Sequence, residues 1–272
     1  MCKTLRVSRS GFYAWLGREE SDRARENRRL TTLIRGVFEE ARGIYGAPRV
    51  HRTLRQRGER CGPNRVARLM RQAELRSKVQ RRFRVKTTNS NHRHPIAPDR
   101  LGRDFTADGP NQAWASDMTY IATDEGWLYL AVTMDLFSRK IVGWSMAPTM
   151  HAKGVVDALK MAIAQRHPKA GLVHHSDRGS QYASEAFTDV LAEHELLASM
   201  SRKGNCYDNA AMESFFHTLK TELVRHEHYR NHAEARASLF DYIEAFYNRQ
   251  RIHSTLGYLS PDEFERACST AA

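Results

Sequence analysis

Long apolar runs and paired cysteines are both missing from this sequence. No run of ~18 apolar residues occurs among the 272, so we expect no membrane-spanning helix. The first residues, MCKTLRVSRSGFYAWLGREE, are basic but have no continuous apolar centre, which argues against a secretory signal. The four cysteines are far apart and form no C-x-x-C pair, so neither a zinc site nor a disulfide framework is predicted. Reduced thiols in a cytoplasm fit this pattern best.

Acidic residues are scarce in the front of the chain. Residues 1–100 hold 26 Lys+Arg against 9 Asp+Glu, a net charge of +17. The whole chain holds 43 Lys+Arg and 31 Asp+Glu, so residues 101–272 hold 17 Lys+Arg and 22 Asp+Glu, a net charge of −5. This division predicts two modules, of which the front one is suited to a polyanion such as DNA. A merely soluble basic domain is the alternative.

The basic front contains a candidate helix-turn-helix over residues 46–80. YGAPRVHRTLRQRG predicts a helix that begins at Ala47 and Pro48 and stops near Gly58, and PNRVARLMRQAEL predicts a second one. An N-terminal helical segment, residues 1–45, precedes them. Guanidinium groups on such a helix can reach phosphates and guanine edges. The candidate DNA contacts are Arg65, Arg68 and Arg71. A solvated helix pair with ordinary surface arginines is the other interpretation.

A basic linker is predicted over residues 81–107, where Asn, His and Pro are frequent and no period persists. Its cations, Arg81, Arg82 and Arg84, would follow the DNA backbone. His92 and His94 have no second pair nearby, so solvated histidines are favoured over a metal site.

Residues 108–272 read as a mixed α/β core with a C-terminal helical cap. QAWASDMTYIAT predicts a strand that holds Asp117, and GWLYLAVTMDLFSRKIVGWSM predicts two more. LVHHSD predicts a short buried strand that ends at Asp177, followed by a helix capped by Ser184. NAAMESFFHTLKTELV predicts a helix that carries Glu213. A hairpin followed by alternating helices and strands indicates helices packed on a mixed sheet.

Asp117, Asp177 and Glu213 form a recognisable pattern, because 213 − 177 − 1 = 35 residues separate the last two. The order Asp, Asp, x35, Glu resembles the DDE signature of transposases and retroviral integrases, which have an RNase H-like core. Asp135 is a rival carboxylate. Because Asp and Ser are frequent in turns, we expect Asp135 to cap the strand link with Ser138 and Arg139 instead.

The resemblance extends along the chain. AWASDMTYI, DLFSRKIVGW, HHSDRGSQY, GNCYDNAAMESFFHTLK and YNRQRIHSTLGYLSPDEF are similar to the second-frame (OrfB) transposase of bacterial insertion sequences with two overlapping reading frames. GIYGAPRVHRTLRQRG resembles the helix-turn-helix that precedes the core in that family. The likeness covers roughly residues 5–265.

The resemblance implies a catalytic site. Asp117, Asp177 and Glu213 would be both the catalytic residues and the metal ligands. Crowded carboxylates repel one another, which two divalent cations would relieve, and oxygen-only ligands favour Mg²⁺ or Mn²⁺. The family also has a basic residue seven positions after the Glu, here Lys220. Nearly two helical turns separate the two, so they share a face and Lys220 can contact the DNA backbone.

The implied activity is metal-dependent hydrolysis at the 3′ ends of an insertion sequence, followed by strand transfer, through a circular intermediate. Two alternatives stay open: an RNase H-like nuclease without strand transfer, and a DNA-binding regulator with an inert core. Expected partners are double-stranded DNA, as terminal inverted repeats and target, and further copies of the chain on that DNA. The resemblance also implies an upstream-frame product, or the form fused to it, as a partner that supplies a coiled coil, and no leucine heptad of useful length occurs in this sequence. The expected location is the bacterial cytoplasm, at the nucleoid.

Overall fold

The computed structural model describes residues 2–78, 96–102, 105–201 and 209–270. The chain divides into two compact units, Met1–Ser77 and Lys78–Ala272. Within the described ranges, no helix is long and apolar enough to cross a membrane.

The first unit is all α. Its helices are α1 (Arg9–Leu16), α2 (Asp22–Glu40), α3 (Ala47–Gln56) and α4 (Pro63–Gln72). Apolar residues at helical spacing on α2, α3 and α4 form its core, including Leu30, Ile34, Val50, Leu54, Val66 and Leu69. The two predicted helices of the helix-turn-helix are confirmed, and Gly58 follows α3 at φ +87, a conformation that favours glycine.

Helix α1 is the first helix of the segment that the sequence predicts to be helical over residues 1–45. Ser8 caps it by accepting a hydrogen bond from the Gly11 amide. None of its residues is buried, and Trp15 remains 66% exposed. The apolar face therefore exists in the sequence pattern but packs against nothing in this unit.

The second unit is built on a five-stranded mixed sheet. Its strands are β1 (Ala113–Thr123), β2 (Gly126–Asp135), β3 (Ile141–Ala147), β4 (Val173–Ser176) and β5 (Leu197–Met200), in the order β3-β2-β1-β4-β5. Strands β1, β2 and β3 are antiparallel neighbours, whereas β4 is parallel to both β1 and β5. The mixed sheet predicted from the sequence is confirmed.

Helices flank this sheet and its apolar core. They are α5 (Ala152–Arg166), α6 (Glu185–Glu193), α7 (Ala210–Glu222), α8 (His232–Phe240) and α9 (Pro261–Thr270), with a π-helical segment at Asp241–Tyr247. Gly143 of β3 allows α5 to approach closely, because a Cβ there would lie 2.1 Å from the Ala158 carbonyl oxygen. Gly257, at φ +64, ends the short 3₁₀ turn Ser254–Leu256.

Asp135 has the structural role that its turn position predicts. It is fully buried, and its Oδ1 accepts a hydrogen bond from the Phe137 amide at 3.0 Å. Its Oδ2 pairs with Arg166 at 3.2 Å. Burial nevertheless raises the pKa of this carboxyl. The hydrogen bonds from the Asn111 and Phe137 amides and the charge of Arg166 lower it, but by less. Asp135 thus anchors the β2–β3 link.

Candidate active site

Asp117 and Asp177 are brought side by side by the parallel pairing of β1 and β4. The register runs from Ala113 opposite Val173 to Ser116 opposite Ser176. Each aspartate is the next residue after the last pair, so β4 ends one residue before the predicted position. Neighbouring strands lie about 4.8 Å apart, which places the two backbones within carboxylate reach of each other.

A tight turn holds the Asp177 side chain. Its Oδ1 accepts a hydrogen bond from the Gly179 amide at 2.8 Å. A Cβ on Gly179 would lie 2.9 Å from that oxygen, so the turn needs glycine for space. The sequence Asp-Arg-Gly indicates such a turn, because the glycine follows two residues after the aspartate. Gly179 was nevertheless not predicted as a site residue.

Glu213 lies in the first turn of α7 and is exposed. The helix begins beside β1, because Asn209 donates its side-chain Nδ2 to the Ser116 carbonyl at 3.4 Å. Asn209 occupies the N-cap position, but its side chain makes no capping hydrogen bond. The contact ties the start of the Glu213 helix to the residue before Asp117.

The three carboxylates interact through charge. Burial, then the charge of Asp177, and more weakly that of Glu213, raise the pKa of Asp117 well above its usual range. The Met118 amide and Lys220 act in the opposite direction. Among the described residues, however, no group of three His, Cys, Asp or Glu side chains is arranged to hold a metal ion. The trio is therefore electrostatically coupled rather than a preformed ligand set.

Lys220 lies between the carboxylates and an aromatic ring. Its Nζ is 4.9 Å from the centroid of Tyr120, and the side chain is half-buried. Burial lowers the pKa of this ammonium, and the charge of Asp117 opposes that change. The ammonium of α7 and the carboxylate of β1 therefore influence each other through charge.

Two buried polar atoms near the carboxylates have no hydrogen-bond partner among the described residues. They are the Tyr182 hydroxyl and the Asn209 Oδ1. Burial, followed by the charges of Asp117 and Asp177, raises the pKa of Tyr182 well above its usual range. Tyr182 belongs to the quoted HHSDRGSQY motif, yet sequence reasoning did not assign it to the site.

The neighbouring histidines are buried structural groups. His174 Nε2 lies 2.8 Å from the Ser116 hydroxyl, which in turn lies 2.8 Å from that of Thr133. His175 Nδ1 lies 2.8 Å from the Ser199 hydroxyl. Burial lowers the pKa of His174 to about 3, so this imidazole is neutral at ordinary pH.

The predicted DNA-contacting arginines have different surroundings. Arg65 donates its Nε to the Asn27 side chain at 2.9 Å and is half-buried. Arg68 is half-buried, and its Nε has no acceptor in the described part of the chain. Only Arg71 of these three is exposed. The remaining candidates, Arg81, Arg82 and Arg84, and the linker histidines His92 and His94, lie outside the described residues.

The chain matches two families along most of its length. Residues 107–206 and 213–267 each match an "Integrase core domain", and residues 25–83 match an "HTH-like domain". The "Insertion element IS600 uncharacterized 31 kDa protein" of Shigella sonnei is 47% identical over 264 residues, which is 97% of each chain. "Transposase InsF for insertion sequence IS3A" of Escherichia coli (strain K12) is 45% identical over 97% of this chain and 92% of that protein.

The chain belongs to the IS3-family transposases. An IS3-family transposase with an integrase core is a DDE polynucleotidyl transferase, and its helix-turn-helix domain binds DNA. Among solved structures, a chain of the simian T-cell lymphotropic virus intasome with PP2A regulatory subunit B56 gamma aligns with a TM-score of 0.50. It shares 18% identity and covers 65% of this transposase and 60% of that chain. The expected RNase H-like core, preceded by an all-α helix-turn-helix region, is confirmed.

Proposed function

We propose that Asp117, Asp177 and Glu213 are the catalytic carboxylates of this transposase and together hold two Mg²⁺ or Mn²⁺ ions. The observation that carries the proposal is the electrostatic coupling of Asp117 to both other carboxylates. Such coupling between acids that lie close together is typical of functional sites. The register of β1 and β4 adds the reason that two of the three meet.

The residues present fit a hard divalent cation in their chemistry. All three donors are carboxylates, which Mg²⁺ and Mn²⁺ prefer over nitrogen or sulfur. The pKa of Asp117 is raised first by burial and then by the negative charges of Asp177 and Glu213, and a bound cation would favour the ionised carboxylate against both effects. The buried Tyr182 hydroxyl adds a polar group at the same place, since it responds to the charges of Asp117 and Asp177.

The reaction proposed is phosphodiester hydrolysis that frees a 3′-hydroxyl at each element end, followed by attack of that hydroxyl on another phosphodiester bond. When bound, the divalent ions supply charge stabilisation for the attacking and leaving oxygens. The carboxylates position those ions. Lys220 holds a backbone phosphate beside Asp117, because its ammonium interacts with the charge of that carboxylate. No covalent enzyme intermediate is needed.

The proposed DNA partners are the terminal inverted repeats of the element and its target, in the nucleoid of a bacterium. Joining requires two element ends to be held together, so at least two protomers act on the DNA. An upstream-frame product, or a form fused to it, is the proposed additional partner. Arg65, Arg68, Arg71, Arg81, Arg82 and Arg84 remain the proposed DNA contacts of the basic front. Of the three that the structure describes, exposed Arg71 is best placed for a phosphate, because Arg65 already binds Asn27.

Replacement of the carboxylates by amides tests the site. We expect Asp117→Asn, Asp177→Asn and Glu213→Gln each to reduce 3′-end cleavage and strand transfer to background, because an amide cannot replace an anionic metal ligand. DNA binding should survive. The assay incubates the full chain with the element's inverted repeats and Mg²⁺, and scores cleaved and joined DNA.

Exposed carboxylates of the same unit give matched controls. Asp189→Asn and Glu193→Gln change the same groups on α6, where both side chains are exposed, and should leave activity unchanged. Full cleavage by any one of the three site variants would remove that residue from the site. Cleavage without joining, when pre-cleaved ends are supplied, would favour the hydrolytic nuclease.

A further inference from the structure

Two aromatic side chains in the described part of the second unit are about half exposed, Trp127 at 51% and Phe240 at 52%. Trp127 meets Tyr120 edge to face, with ring centroids 4.8 Å apart. Phe240 meets Trp144 in the same manner at 5.7 Å. Single exposed aromatics are common, so a binding role needs a second observation.

That second observation is a cation that joins only one of these pairs to the candidate active site. Lys220 lies 4.9 Å from the Tyr120 ring and also interacts with the charge of Asp117. Strand β4 stops beside Ser116, so from Asp117 onward α7 can approach β1 where a strand would otherwise lie. By contrast, Trp144 beside Phe240 donates to Glu244 at 2.8 Å, which places an acid at that pair.

The groups lie at successive positions along β1, although the Tyr120 side chain is on the face of the sheet opposite that of Asp117, because residues three apart on a strand point to opposite faces. Lys220 on α7 interacts with both of them. Tyr120 is three residues from Asp117, or about 10 Å at the usual strand rise. Trp127 pairs with Ala122, so it stands about 17 Å from Asp117 along the same direction. In a duplex, where one strand advances about 3.4 Å per nucleotide, these distances correspond to roughly three to five nucleotides from a phosphate held at the carboxylates. An unpaired strand extends further per nucleotide and spans them with fewer.

We propose that Tyr120 and Trp127 form an aromatic platform that stacks on a nucleobase of the DNA strand leaving the active site. The proposal rests on the proposed function, which supplies the DNA at Asp117. Every base has a π-face, so such stacking tolerates any sequence. Lys220 binds a phosphate next to the stacked nucleotide, and the base stacks on the exposed face of Trp127.

The turn between β1 and β2 explains why a base, rather than the backbone, is the ligand of this platform. Asp124 and Glu125 in that turn are 56% and 55% exposed, and their carboxylates repel phosphate. His228 lies 3.2 Å from Asp124, and His232 lies 3.7 Å from Glu125. An unpaired base, which carries no charge, is compatible with this acidic edge.

The test uses the full chain without divalent cations, so that no DNA is cleaved. The probes are a blunt duplex and the same duplex with a single-stranded oligo(dT) overhang. The ratio of their affinities isolates the overhang, because binding by the basic front cancels. We expect Trp127→Ala to lower this ratio by about fivefold to a hundredfold, as expected for loss of one stacked base. Trp127→Phe should recover most of the ratio, and Phe240→Ala, which removes an equally exposed ring, should leave it unchanged.

Photocrosslinking locates the contact. Each thymine of the overhang is replaced in turn by iododeoxyuridine, and we expect the crosslinked peptide to contain Trp127 or Tyr120. An unchanged affinity ratio in Trp127→Ala, or an equal fall in Phe240→Ala, would overturn the platform. A change of oligomeric state in Trp127→Ala with the DNA ratio intact would also overturn it and would assign the surface to protein contact.

The two proposals fail separately. Cleavage is measured in parallel with Mg²⁺ on the same proteins. If crosslinks map to the platform but cleavage does not depend on Asp117, the platform stands and the catalytic assignment fails. If cleavage depends on Asp117 and the affinity ratio is unchanged in Trp127→Ala, the catalytic assignment stands and the platform fails.

Discussion

Asp177 and Gly179 depend on each other within a single turn. The Gly179 amide orients the Asp177 carboxylate at 2.8 Å, and that carboxylate occupies the space where a side chain on residue 179 would be. Gly179 is buried, so the turn has little freedom to adjust. A substitution that adds only a methyl group and changes no charge can therefore displace the carboxylate that is proposed to bind metal.

Gly179→Ala should reduce cleavage strongly while lowering the melting temperature little. The new Cβ would lie 2.9 Å from Asp177 Oδ1 and 3.0 Å from Gln181 Oε1, and these side-chain atoms can move aside. When Asp177 Oδ1 moves aside, the carboxylate loses the orientation that its hydrogen bond to the residue 179 amide gives it. Gly154→Ala in α5, where a Cβ meets nothing within 4 Å, is the control and should keep full activity. Normal cleavage by Gly179→Ala would show that the orientation of Asp177 is not limiting.

His174 should make the fold sensitive to acid. Its pKa is lowered to about 3 in the folded protein, so below about pH 6.5 the unfolded chain binds a proton that the folded chain does not. The free energy of unfolding should then fall as the pH falls from 6.5, by as much as about 1.4 kcal/mol per unit.

The check on His174 is denaturant unfolding at several pH values between 5 and 7. We expect His174→Gln, which can still hydrogen-bond to Ser116, to show a flatter pH dependence than the unsubstituted protein. His217→Gln changes an exposed histidine on α7 and should keep the original slope. Equal slopes in all three proteins would mean that His174 is accessible to protons in the folded state.

At the scale of elements, α7 is held at both of its ends. Asn209 ties its beginning to the Ser116 carbonyl. At its other end, Glu222 accepts from Arg251 twice, at 2.7 Å each, and from the Tyr242 hydroxyl at 2.8 Å. Both ends are buried, so the C-terminal cap fixes the helix that carries Glu213.

Arg251→Met should destabilise the second unit by about 3–5 kcal/mol, because it leaves Glu222 buried without its counter-charge. The double variant Glu222→Met, Arg251→Met removes both charges at similar volume, and we expect it to recover most of that loss. Denaturant midpoints measure both effects. As a comparison, Arg230→Met breaks an exposed pair with Glu234 and should cost little. A double variant no more stable than Arg251→Met would mean that Tyr242 needs the carboxylate.

At the scale of the whole molecule, the front and the back of the sequence differ in the sign of their net charge. Residues 1–100 carry +17 and residues 101–272 carry −5. The basic part contains the helix-turn-helix match, and the mildly acidic part contains the integrase core. Affinity for DNA and chemistry on DNA are thus separated along the sequence.

A fragment of residues 1–100 should bind duplex DNA with a steep salt dependence. Each phosphate that it neutralises contributes about −0.9 to the slope of log K against log salt. Fluorescence anisotropy at several salt concentrations measures the slope. Residues 101–272, with a net charge of −5, provide the matched comparison and should show weak binding. A flat salt dependence of the front fragment would refute the electrostatic account.

Much of this fold could be predicted because periodicity reports which face of an element is buried. Val66, Leu69 and Met70 are spaced for one helical face, and all three are buried. Strand β1 is rich in aromatic and β-branched residues and lies at the centre of the sheet. Boundaries shifted by about one residue, as at the end of β4, since hydrogen bonding rather than composition decides them.

The sequence by itself determined the identity and order of the three carboxylates, the buried faces of the helices and the charge asymmetry of the chain. Only the tertiary structure decided that Ser116 pairs with Ser176, which aligns Asp117 with Asp177. It alone placed Lys220 over Tyr120 and bound Arg65, a predicted DNA contact, to Asn27. Side-chain spacing reports the face of one element. Register and helix placement depend instead on packing between residues distant in sequence, 38 positions apart for Arg65 and Asn27.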